Sequence, residues 1–541
     1  MSRRTILLGL DGLEPSFADK MMAAGELPAL RRLAAESCSF KLDHGPAKRT
    51  GLAWEHVSSG LSPDDGKRWS TAHFDPRSYE AWQHATNMVP FAAKIAARTV
   101  VFDAPYFDLD ITPTTLGLVT WGAHDPGSPE CCRPSGLKDE IVERFGAYPA
   151  TEWIYGFVWP SAERTQRMAA ALVEGVNQRS RIAEWLLAER LPEWDLAYVV
   201  ISELHSATEA LWHGVDPSHR LHRAPSSSQA GEGLRDIYRA VDRLVGDLMR
   251  RFPDVVLVAF TLHGMGPNES DAASMLLLPE LLYRQALGGN HLESCDAWRD
   301  PPQALAPSVL HWESAIRSGF RRRMSWWGRL HRRRNPRPAP ATREQSGDLG
   351  NDPKRSAIDW MPAAWYQPYW HRMSAFALPS FYDGRVRVNL AGRESRGLIK
   401  REQYEAFCSG LEALLHECRD WESGEPIVQS IERCGGRDPY ALGETEVDIV
   451  VLWRRSSLGF VHPRLGTIGP VPQRRTGGHT GPLGVAYIFG GDLPAGEQGV
   501  VSSFDVVPTA LDLMGIERPA MMSGQSLLQS MARRQAAGAV G

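Results

Sequence analysis

The stretch "RTILLGLDGLEP", residues 4–15, places an aspartate directly after a run of apolar residues and glycine. The run from Ile6 to Leu10 is too short for an ordinary helix and is typical of a strand buried on both faces of a parallel sheet. Asp11 then stands at the carboxyl end of that strand, where open α/β sheets bind ligands and metals. Asp-Gly is also a common turn dipeptide. The stretch therefore leaves two interpretations open, a functional carboxylate and a simple turn.

The composition is that of an ordinary soluble globular protein. The 541 residues are 43% hydrophobic and 23% charged, with a net charge of −4, and this length calls for a large domain with insertions or for two to three domains. The charge balance provides no general attraction to nucleic acid, and no apolar run approaches the roughly 20 residues that cross a bilayer. Asp11 interrupts the amino-terminal apolar run, which is too short for a signal peptide, and the seven scattered cysteines fit a reducing compartment. We therefore expect a cytoplasmic protein with no membrane span and no nucleic-acid polymer as partner.

Apolar runs typical of strands alternate with helical patterns along the chain. The predicted strands are Thr99 to Phe102, Leu196 to Ile201, Val255 to Phe260, Asp448 to Leu452 and Val485 to Phe489. Apolar positions spaced three and four apart predict helices over Arg164 to Leu187 and Gly233 to Arg251. This alternation favours a mostly parallel sheet covered by helices on both faces.

Two stretches between these elements have the composition of loops or insertions. Residues 224–233, "APSSSQAGEG", predict a flexible loop. From Arg317 to Arg343 the chain has ten arginines and no acidic residue, interleaved with Trp326 and Trp327. A patch for an anionic partner and a mobile, solvated insertion both fit this composition, and we expect the mobile insertion.

A second motif is "AKRTGLAWEHVSSGLSP" at residues 47–63. Together with "GLDG" at residues 9–12, it resembles motifs of the alkaline phosphatase superfamily, in particular of its type I phosphodiesterase and nucleotide pyrophosphatase branch. Later segments resemble that branch in the same order. They are "VVISELHSATEALWH", "FTLHGMG" and "RRTGGHTGPLG". The resemblance implies an alkaline-phosphatase-like α/β fold over residues 1–541, with a mostly parallel central sheet, a cap insertion at 123–190 and a second insertion at 285–375 that contains the arginine-rich stretch.

The resemblance also implies a metal-dependent mechanism. Two divalent ions about 4 Å apart lower the pKa of a hydroxyl and neutralise charge on the phosphate oxygens. In this resemblance Thr50 is the nucleophile that forms a covalent phosphothreonine. Asp11 is then a metal ligand, and this role explains why a carboxylate directly follows the first predicted strand. We expect one or two divalent ions per chain, with zinc favoured over manganese or iron.

The sequence departs from the family pattern at both implied metal sites. Where the branch has an Asp-x-x-x-His segment, this chain has His205 and Glu209, so one implied ligand set is His205, Glu209 and His479. At the other site an expected aspartate is Leu262, which leaves Asp11, Thr50 and His263 as implied ligands. The alternative is that His263 completes a buried polar network and that Thr50 is an inert loop residue.

Several other polar residues are accessory candidates. Glu203 precedes His205 by two residues, so on a strand both side chains face the same side, where Glu203 replaces the lost carboxylate. Lys48 and Arg49 adjoin Thr50 and are placed to stabilise phosphate charge. His213 and His219 follow the metal segment. Each of these side chains also has an ordinary interpretation as a surface group.

The sequence therefore predicts a metal-dependent hydrolase of small-molecule phosphate esters, with phosphodiesters favoured, acting through Thr50. Two alternatives remain. One is a phospho- or sulfo-group transferase of a biosynthetic pathway, which passes the group from a phosphate or sulfate ester to an acceptor other than water. The other is a catalytically silent binding protein with a degenerate metal site. Oligomeric state is not indicated by the sequence.

Overall fold

The computed structural model describes residues 3–293, 311–320, 354–433, 438–528 and 531, in two compact units. The first unit comprises Met1–Trp69, Ala85–Asn268 and Arg475–Gly541. The second comprises Ser70–His84 and Glu269–Arg474. The second unit is thus inserted, in two pieces, into the sequence of the first.

A nine-stranded sheet forms the centre of the first unit. Its strands are β1 (Thr5–Leu10), β2 (Cys38–Asp43), β3 (Thr99–Phe102), β4 (Leu116–Val119), β5 (Cys131–Arg133), β6 (Leu196–Ile201), β7 (Val256–Thr261), β8 (Gly484–Phe489) and β9 (Gly496–Ser502). Their order across the sheet is β9-β2-β8-β7-β1-β6-β3-β4-β5. The five strands from β7 to β4 are parallel to one another, whereas β8 and β5 run antiparallel to their neighbours. The mostly parallel sheet expected from the sequence is confirmed.

Strand β1 lies in the middle of this sheet because both of its faces are apolar. Every residue of Thr5–Leu10 is buried, and the strand pairs in parallel with β6 on one side and β7 on the other. Its side chains alternate between two apolar clusters, with Leu8 in one and Leu7 in the other. A run without polar positions is the pattern of a strand covered on both faces, so the prediction from the opening stretch is confirmed.

Helices cover both faces of the sheet. They are α1 (Pro15–Ala23), α2 (Pro28–Glu36), α3 (Ala53–Ser59), α4 (Pro63–Gly66), α5 (Leu137–Phe145), α6 (Ala162–Trp185), α7 (Glu203–Leu211), α8 (Ser227–Arg251) and α9 (Val506–Leu513). The apolar side chains of α1, α2, α6, α7 and α8 belong to the cluster that contains Leu8. Those of α3 and α9 belong to the cluster that contains Leu7. The two-faced arrangement is that of a doubly covered α/β sheet.

Helix α8 begins earlier than its sequence indicates. The prediction of a flexible loop over residues 224–233 is wrong from Ser227 onward, because α8 runs over Ser227–Arg251. Serine and glycine are weak helix formers, but Ala230, Gly231, Gly233 and Leu234 are buried here. Tertiary packing therefore overrides local propensity at this helix start.

Residues 123–190, predicted as a cap insertion, lie within the first unit. They supply the edge strand β5 and the helices α5 and α6, and α6 is followed by a π turn at Leu186–Arg190. Buried side chains of α6, among them Met168 and Leu172, are part of the main apolar cluster. Their interpretation as a substrate-selecting cap stays a prediction.

The second unit is built from short antiparallel sheets. A four-stranded sheet has the order Ala375–Leu378, Gly384–Val388, Ile449–Trp453 and Val428–Arg433. Two three-stranded sheets consist of Arg355–Ala357, Ala81–His84 and Ala72–Phe74, and of Arg419–Asp420, Phe460–His462 and Gly466–Ile468. Its helices are Leu278–Leu287, Trp312–Gly319, Gln367–Trp370 and Tyr404–His416. The predicted strand near Asp448 is present, but in an antiparallel sheet and not in the central one.

The predicted second insertion, residues 285–375, falls in the second unit. Residues 321–343 of the arginine-rich stretch lie outside the described residues. Among the described residues, no helix combines the length and the apolar character needed to cross a bilayer.

Candidate active site

The carboxyl end of β1 touches the first turn of α7. Gly12 follows Asp11 with a φ of +80°, and a Cβ added to Gly12 would lie 2.3 Å from the Cα of His205. Only glycine allows this approach, since any side chain would collide with the helix backbone. The backbone N–H of Asp11 donates to the carbonyl of Ile201 at 2.9 Å, which extends the strand pairing to this point. The Asp-Gly pair therefore forms a turn, and the missing side chain of Gly12 also allows Asp11 to lie next to His205.

Helix α7 presents two of the predicted ligands on one face. His205 and Glu209 are four residues apart, and their side chains meet with 3.4 Å between His205 Nε2 and Glu209 Oε1. The other ring nitrogen, His205 Nδ1, lies 3.0 and 3.1 Å from the two carboxylate oxygens of Asp11. His205 is thus held between two carboxylates, one from the end of a strand and one from its own helix.

Two further predicted histidines extend this contact. His479 Nε2 lies 3.0 Å from His205 Nε2, and His479 Nδ1 lies 3.1 Å from His263 Nε2. His263 follows β7, and its Nδ1 lies 3.0 Å from the carbonyl oxygen of Gly264. His479 is fixed beside it by a short antiparallel pairing of Gly477–Gly478 with Gly266–Pro267. The structure therefore brings together Asp11, His205, Glu209, His263 and His479 from four separate parts of the sequence.

Sequence reasoning missed two residues of this group, His124 and Arg475. The His124 ring stacks on the His205 ring with centroids 3.7 Å apart, and its Nε2 lies 3.3 Å from Glu209 Oε2. The Arg475 guanidinium binds Glu209 Oε1. His124 follows a strand in a loop rich in glycine and proline, and Arg475 lies inside the segment of His479. Their positions near recognised segments are a signal, but neither spacing resembles a ligand motif.

Burial and neighbouring charge determine the protonation of these rings. Burial lowers the pKa of His263 to about 4 and holds the pKa of His124 and of His479 well below the usual range. His205 is the exception. Burial opposes its charged form, but the carboxylates of Asp11 and Glu209 raise its pKa to about 10. Without a metal, the group is therefore one charged imidazole among neutral ones.

The donor set suits a divalent metal. His124, His205 and Glu209 are buried, and each offers one atom within 4.8 Å of the others. Imidazole nitrogen and carboxylate oxygen together are ligands for zinc, manganese and iron. His124 Nε2 and Glu209 Oε2 are buried without a hydrogen-bond partner and face each other at 3.3 Å, so the residues present fit the metal that the resemblance implies.

Thr50 lies at the end of a short 3₁₀ turn, Gly45–Arg49, that also carries Lys48 and Arg49. Its buried hydroxyl donates to the carbonyl of Ala47 at 2.8 Å and accepts from the N–H of Leu52 at 3.0 Å. After the larger effect of burial, the charge of Lys48 helps to lower the pKa of His263 and His479. The turn of Thr50 is thus electrostatically coupled to the histidines. Direct contact of Thr50 with Asp11 and His263 stays a prediction.

Glu203 does not face His205. The expectation that the two share one face of a strand is wrong, because both lie on α7, where a separation of two residues turns side chains in nearly opposite directions. The Glu203 carboxylate lies 3.0 and 3.1 Å from Arg179 Nε and accepts from the Tyr148 hydroxyl at 3.0 Å. Arg179 Nη1 also binds Asp103 at 2.6 Å.

His213 and His219 form a neighbouring cluster of their own. Their ring centroids are 6.2 Å apart, and His213 Nε2 lies 3.1 Å from the Ser226 hydroxyl at the start of α8. Burial lowers the pKa of His213 to about 3 and that of His219 to about 4. The expected surface role is wrong for His213, which is buried.

Comparison with solved structures shows which fold the chain adopts. The alkaline phosphatase PafA, in a mutant form, aligns over 98% of this chain and 99% of its own with a TM-score of 0.52 at 9% identity. Phosphonoacetate hydrolase from Sinorhizobium meliloti 1021 aligns over 95% and 96%, with a TM-score of 0.42 and 14% identity. Murine ectonucleotide pyrophosphatase / phosphodiesterase 5 aligns over 97% and 98%, with a TM-score of 0.48 and 9% identity. The alkaline-phosphatase-like α/β fold is confirmed.

The family is identified by sequence. Residues 5–286, just over half of the chain, match the model of the type I phosphodiesterase / nucleotide pyrophosphatase family. The chain belongs to this family, and it is an enzyme of the phosphodiesterase and phosphohydrolase type. Comparison with curated protein sequences found no match.

Proposed function

We propose that the protein hydrolyses small-molecule phosphate esters, with phosphodiesters preferred, in a metal-dependent reaction with Thr50 as the nucleophile. The observation that carries the proposal is the buried group of His124, His205 and Glu209, whose ligand atoms lie within 4.8 Å of one another, with His479 Nε2 3.0 Å from His205 Nε2. A bound divalent ion supplies positive charge that polarises a phosphoryl oxygen and lowers the pKa of a hydroxyl or water nearby.

The chain's own residues perform the remaining steps. The Thr50 oxygen attacks phosphorus, the bond from phosphorus to the alcohol oxygen breaks, the proton lost by Thr50 passes to the departing alcohol, and a phosphothreonine forms. Water then attacks the same phosphorus, which releases phosphate or a phosphomonoester and restores the hydroxyl. The half-buried Lys48, two residues before Thr50, is placed to stabilise negative charge on the phosphoryl oxygens. For the attack, the Thr50 proton has to leave its present acceptor, the carbonyl of Ala47.

Substitution of Thr50 tests this assignment. With an activated substrate such as bis(p-nitrophenyl) phosphate and metal-loaded enzyme, we expect Thr50→Ala to lower kcat by at least about 10³-fold. Thr50→Ser keeps the nucleophilic oxygen and is expected to retain part of the activity. Rapid quenching followed by mass spectrometry is expected to find a phosphoryl group on the peptide that contains Thr50.

Thr112→Ala is a matched control. Thr112 is also buried, and its hydroxyl also donates to carbonyls of its own turn, those of Asp108 and Leu109. The Thr112→Ala variant therefore loses the same kind of local hydrogen bond but keeps the proposed nucleophile. Full activity of metal-loaded Thr50→Ala would rule out covalent catalysis by Thr50. Release of a product carrying the phosphoryl group on an added alcohol, in place of phosphate, would indicate a transferase.

A further inference from the structure

The hydrogen-bond partners of His124 determine which of its ring nitrogens carries the proton. The Ser206 hydroxyl donates its only proton to the carbonyl of Ile154 at 2.5 Å, so toward His124 Nδ1, 3.1 Å away, it can only accept. Nδ1 of the His124 ring therefore carries a proton. The other ring nitrogen, Nε2, faces Glu209 Oε2 at 3.3 Å.

The contact between His124 and Glu209 is buried and contains no hydrogen bond. Both side chains are 1% exposed. His124 Nε2 and Glu209 Oε2 are buried without a hydrogen-bond partner. Burying two such atoms without a partner is costly, and a cation between them removes that cost.

The same reasoning applies to His263 and His479. A carbonyl oxygen only accepts, so His263 Nδ1 donates to Gly264, and the neutral ring has its lone pair on Nε2. His479 Nδ1 must then donate to His263 Nε2 across 3.1 Å. The lone pair of His479 Nε2 is left facing His205 Nε2 at 3.0 Å.

His205 completes the group. Its Nδ1 donates to the Asp11 carboxylate, and its Nε2 faces both His479 Nε2 and Glu209 Oε1. Adjacent ligands of a tetrahedral ion at 2.0–2.2 Å stand about 3.3–3.5 Å apart. The 3.0 Å between the Nε2 atoms of His479 and His205 and the 3.3 Å between His124 Nε2 and Glu209 Oε2 are close to that size.

We infer that the chain binds a single divalent metal ion through His124, His205, Glu209 and His479, and that Asp11 and His263 orient two of these ligands without binding metal. The inference deepens the proposed function, on whose metal dependence it rests. Asp11 fixes His205 and His263 fixes His479, each by accepting the proton of the ligand's other ring nitrogen. Arg475 binds Glu209 Oε1 and leaves Oε2 for the ion.

Among the described residues, a second ion has no comparable set of ligands. In the family pattern the residue before His263 is an aspartate, but here it is Leu262, which is buried within the apolar cluster that also contains Leu7 and Phe260. Asp11 and His263, the other implied ligands of that site, already accept protons from His205 and His479. The chain therefore retains one metal centre where the family resemblance implies two.

Metal binding to the full chain tests this inference without an activity assay. Zn²⁺ is titrated calorimetrically into dialysed protein, and Co²⁺ is followed by its visible absorption, which is much stronger for tetrahedral than for octahedral ions. We expect one ion per chain and a tetrahedral Co²⁺ spectrum. His124→Ala, and the milder His124→Asn, are expected to weaken Zn²⁺ binding more than about 100-fold. Asp11→Asn and His263→Gln are expected to keep one ion per chain with a Kd raised about 10–100-fold, the range typical of partners that orient a ligand.

His213→Gln is the matched control, since it replaces a buried histidine outside the four ligands and is expected to leave the Kd unchanged. Two ions per chain, no bound ion, or unchanged binding by folded His124 variants would each overturn the inference. Complete loss of metal binding in folded Asp11→Asn would also overturn the inference. Thr50→Ala separates the two proposals. If it binds one ion normally and remains fully active, the nucleophile assignment fails and the metal centre stands.

Discussion

At the scale of single residues, Glu203 lies in a correctly recognised segment, but its predicted contact with His205 is wrong. The sequence places this carboxylate beside His205, but the helix turns it toward Arg179, which also binds Asp103. All three side chains are completely buried. Two carboxylates around one guanidinium form a charged network that stabilises only while every member is present. Glu203 therefore anchors the first turn of α7, on which His205 lies.

Substitution of Glu203 separates an anchoring role from a metal-binding one. Glu203→Gln leaves Arg179 with one charged partner, and we expect the free energy of unfolding to fall by about 3 kcal/mol, as when a buried ion pair loses one member. The Kd for Zn²⁺ is expected to change less than about threefold, in contrast to His124→Ala. Urea denaturation followed by tryptophan fluorescence measures the first quantity and calorimetry the second. Loss of metal binding with unchanged stability would restore Glu203 as a ligand.

The candidate site was partly predictable at this scale. Asp11, His205, Glu209, His263 and His479 occupy recognisable segments, and the structure places them in mutual contact. His124 was not predictable, because it reaches the site only through the folding of a loop. Arg475 lies in the recognised segment of His479, but no spacing in that segment marks it as a partner of Glu209. Whether a carboxylate or imidazole binds metal or orients a ligand depends on hydrogen-bond partners, which sequence does not contain.

At the scale of elements, the start of α8 is determined by a close backbone contact. A Cβ added to Gly214 would lie 2.1 Å from the N atom of Gly231, and one added to Gly231 would lie 2.8 Å from the carbonyl oxygen of Gly214. Ser226, just before the helix, also binds His213. The polar, glycine-rich sequence that predicted a loop is therefore what allows the helix to approach its neighbour. Periodicity alone does not reveal this, because the contact is made by residues without side chains.

Gly214→Ala tests this contact. We expect the added methyl group to push the start of α8 away and to lower the free energy of unfolding by about 1–3 kcal/mol, as overpacking does. Hydrogen exchange is expected to show protected amides from Gly231 onward in the unmodified protein and faster exchange there in the variant. Gly410→Ala is the control, because a Cβ at this helical glycine meets nothing within 4 Å. Rapid exchange of these amides in the unmodified protein would favour the flexible loop.

At the scale of the whole molecule, buried neutral histidines make stability depend on pH. Burial lowers the pKa of His56 and His213 to about 3 and that of His219 to about 4. The unfolded chain binds protons at these positions below about pH 6.5, whereas the folded chain does not until about pH 3–4. Protons therefore favour unfolding, and the stability present above pH 6.5 is lost as the pH falls through this window. His205, with its raised pKa, has the opposite effect in metal-free protein, since the stability it contributes is lost as the pH rises toward 10.

Urea denaturation at pH 7.5 and pH 5.0 measures this effect. Each of these three histidines is expected to lower the free energy of unfolding by up to about 2 kcal/mol at pH 5, from a shift of a few pKa units. The denaturation midpoint is therefore expected to fall markedly on acidification. In His213→Gln the difference between the two midpoints is expected to be smaller. Equal midpoints at the two pH values would show that these rings are not buried in the neutral form.

The overall architecture was more predictable for the first unit than for the second. Runs such as Leu196–Ile201 are apolar throughout, and such runs identify strands in the interior of a parallel sheet. The strands of the second unit are short and half-exposed in part, as in Val428–Arg433, so their sequences resemble those of loops. Motif order along the chain indicated one fold, but not that Glu269–Arg474 forms a compact unit of its own.

The order of the strands also has a consequence for synthesis on the ribosome. Strand β2, made among the first 43 residues, lies in the finished sheet between β8 and β9, which both come after residue 483. Until the last part of the chain emerges, both edges of β2 and one edge of β7 expose unpaired backbone groups that invite pairing with other chains. His479 is missing from the site for the same period. The nascent chain therefore closes its sheet and completes its candidate site only after Ser502 has been made, and this long interval is when we expect it to depend most on chaperones.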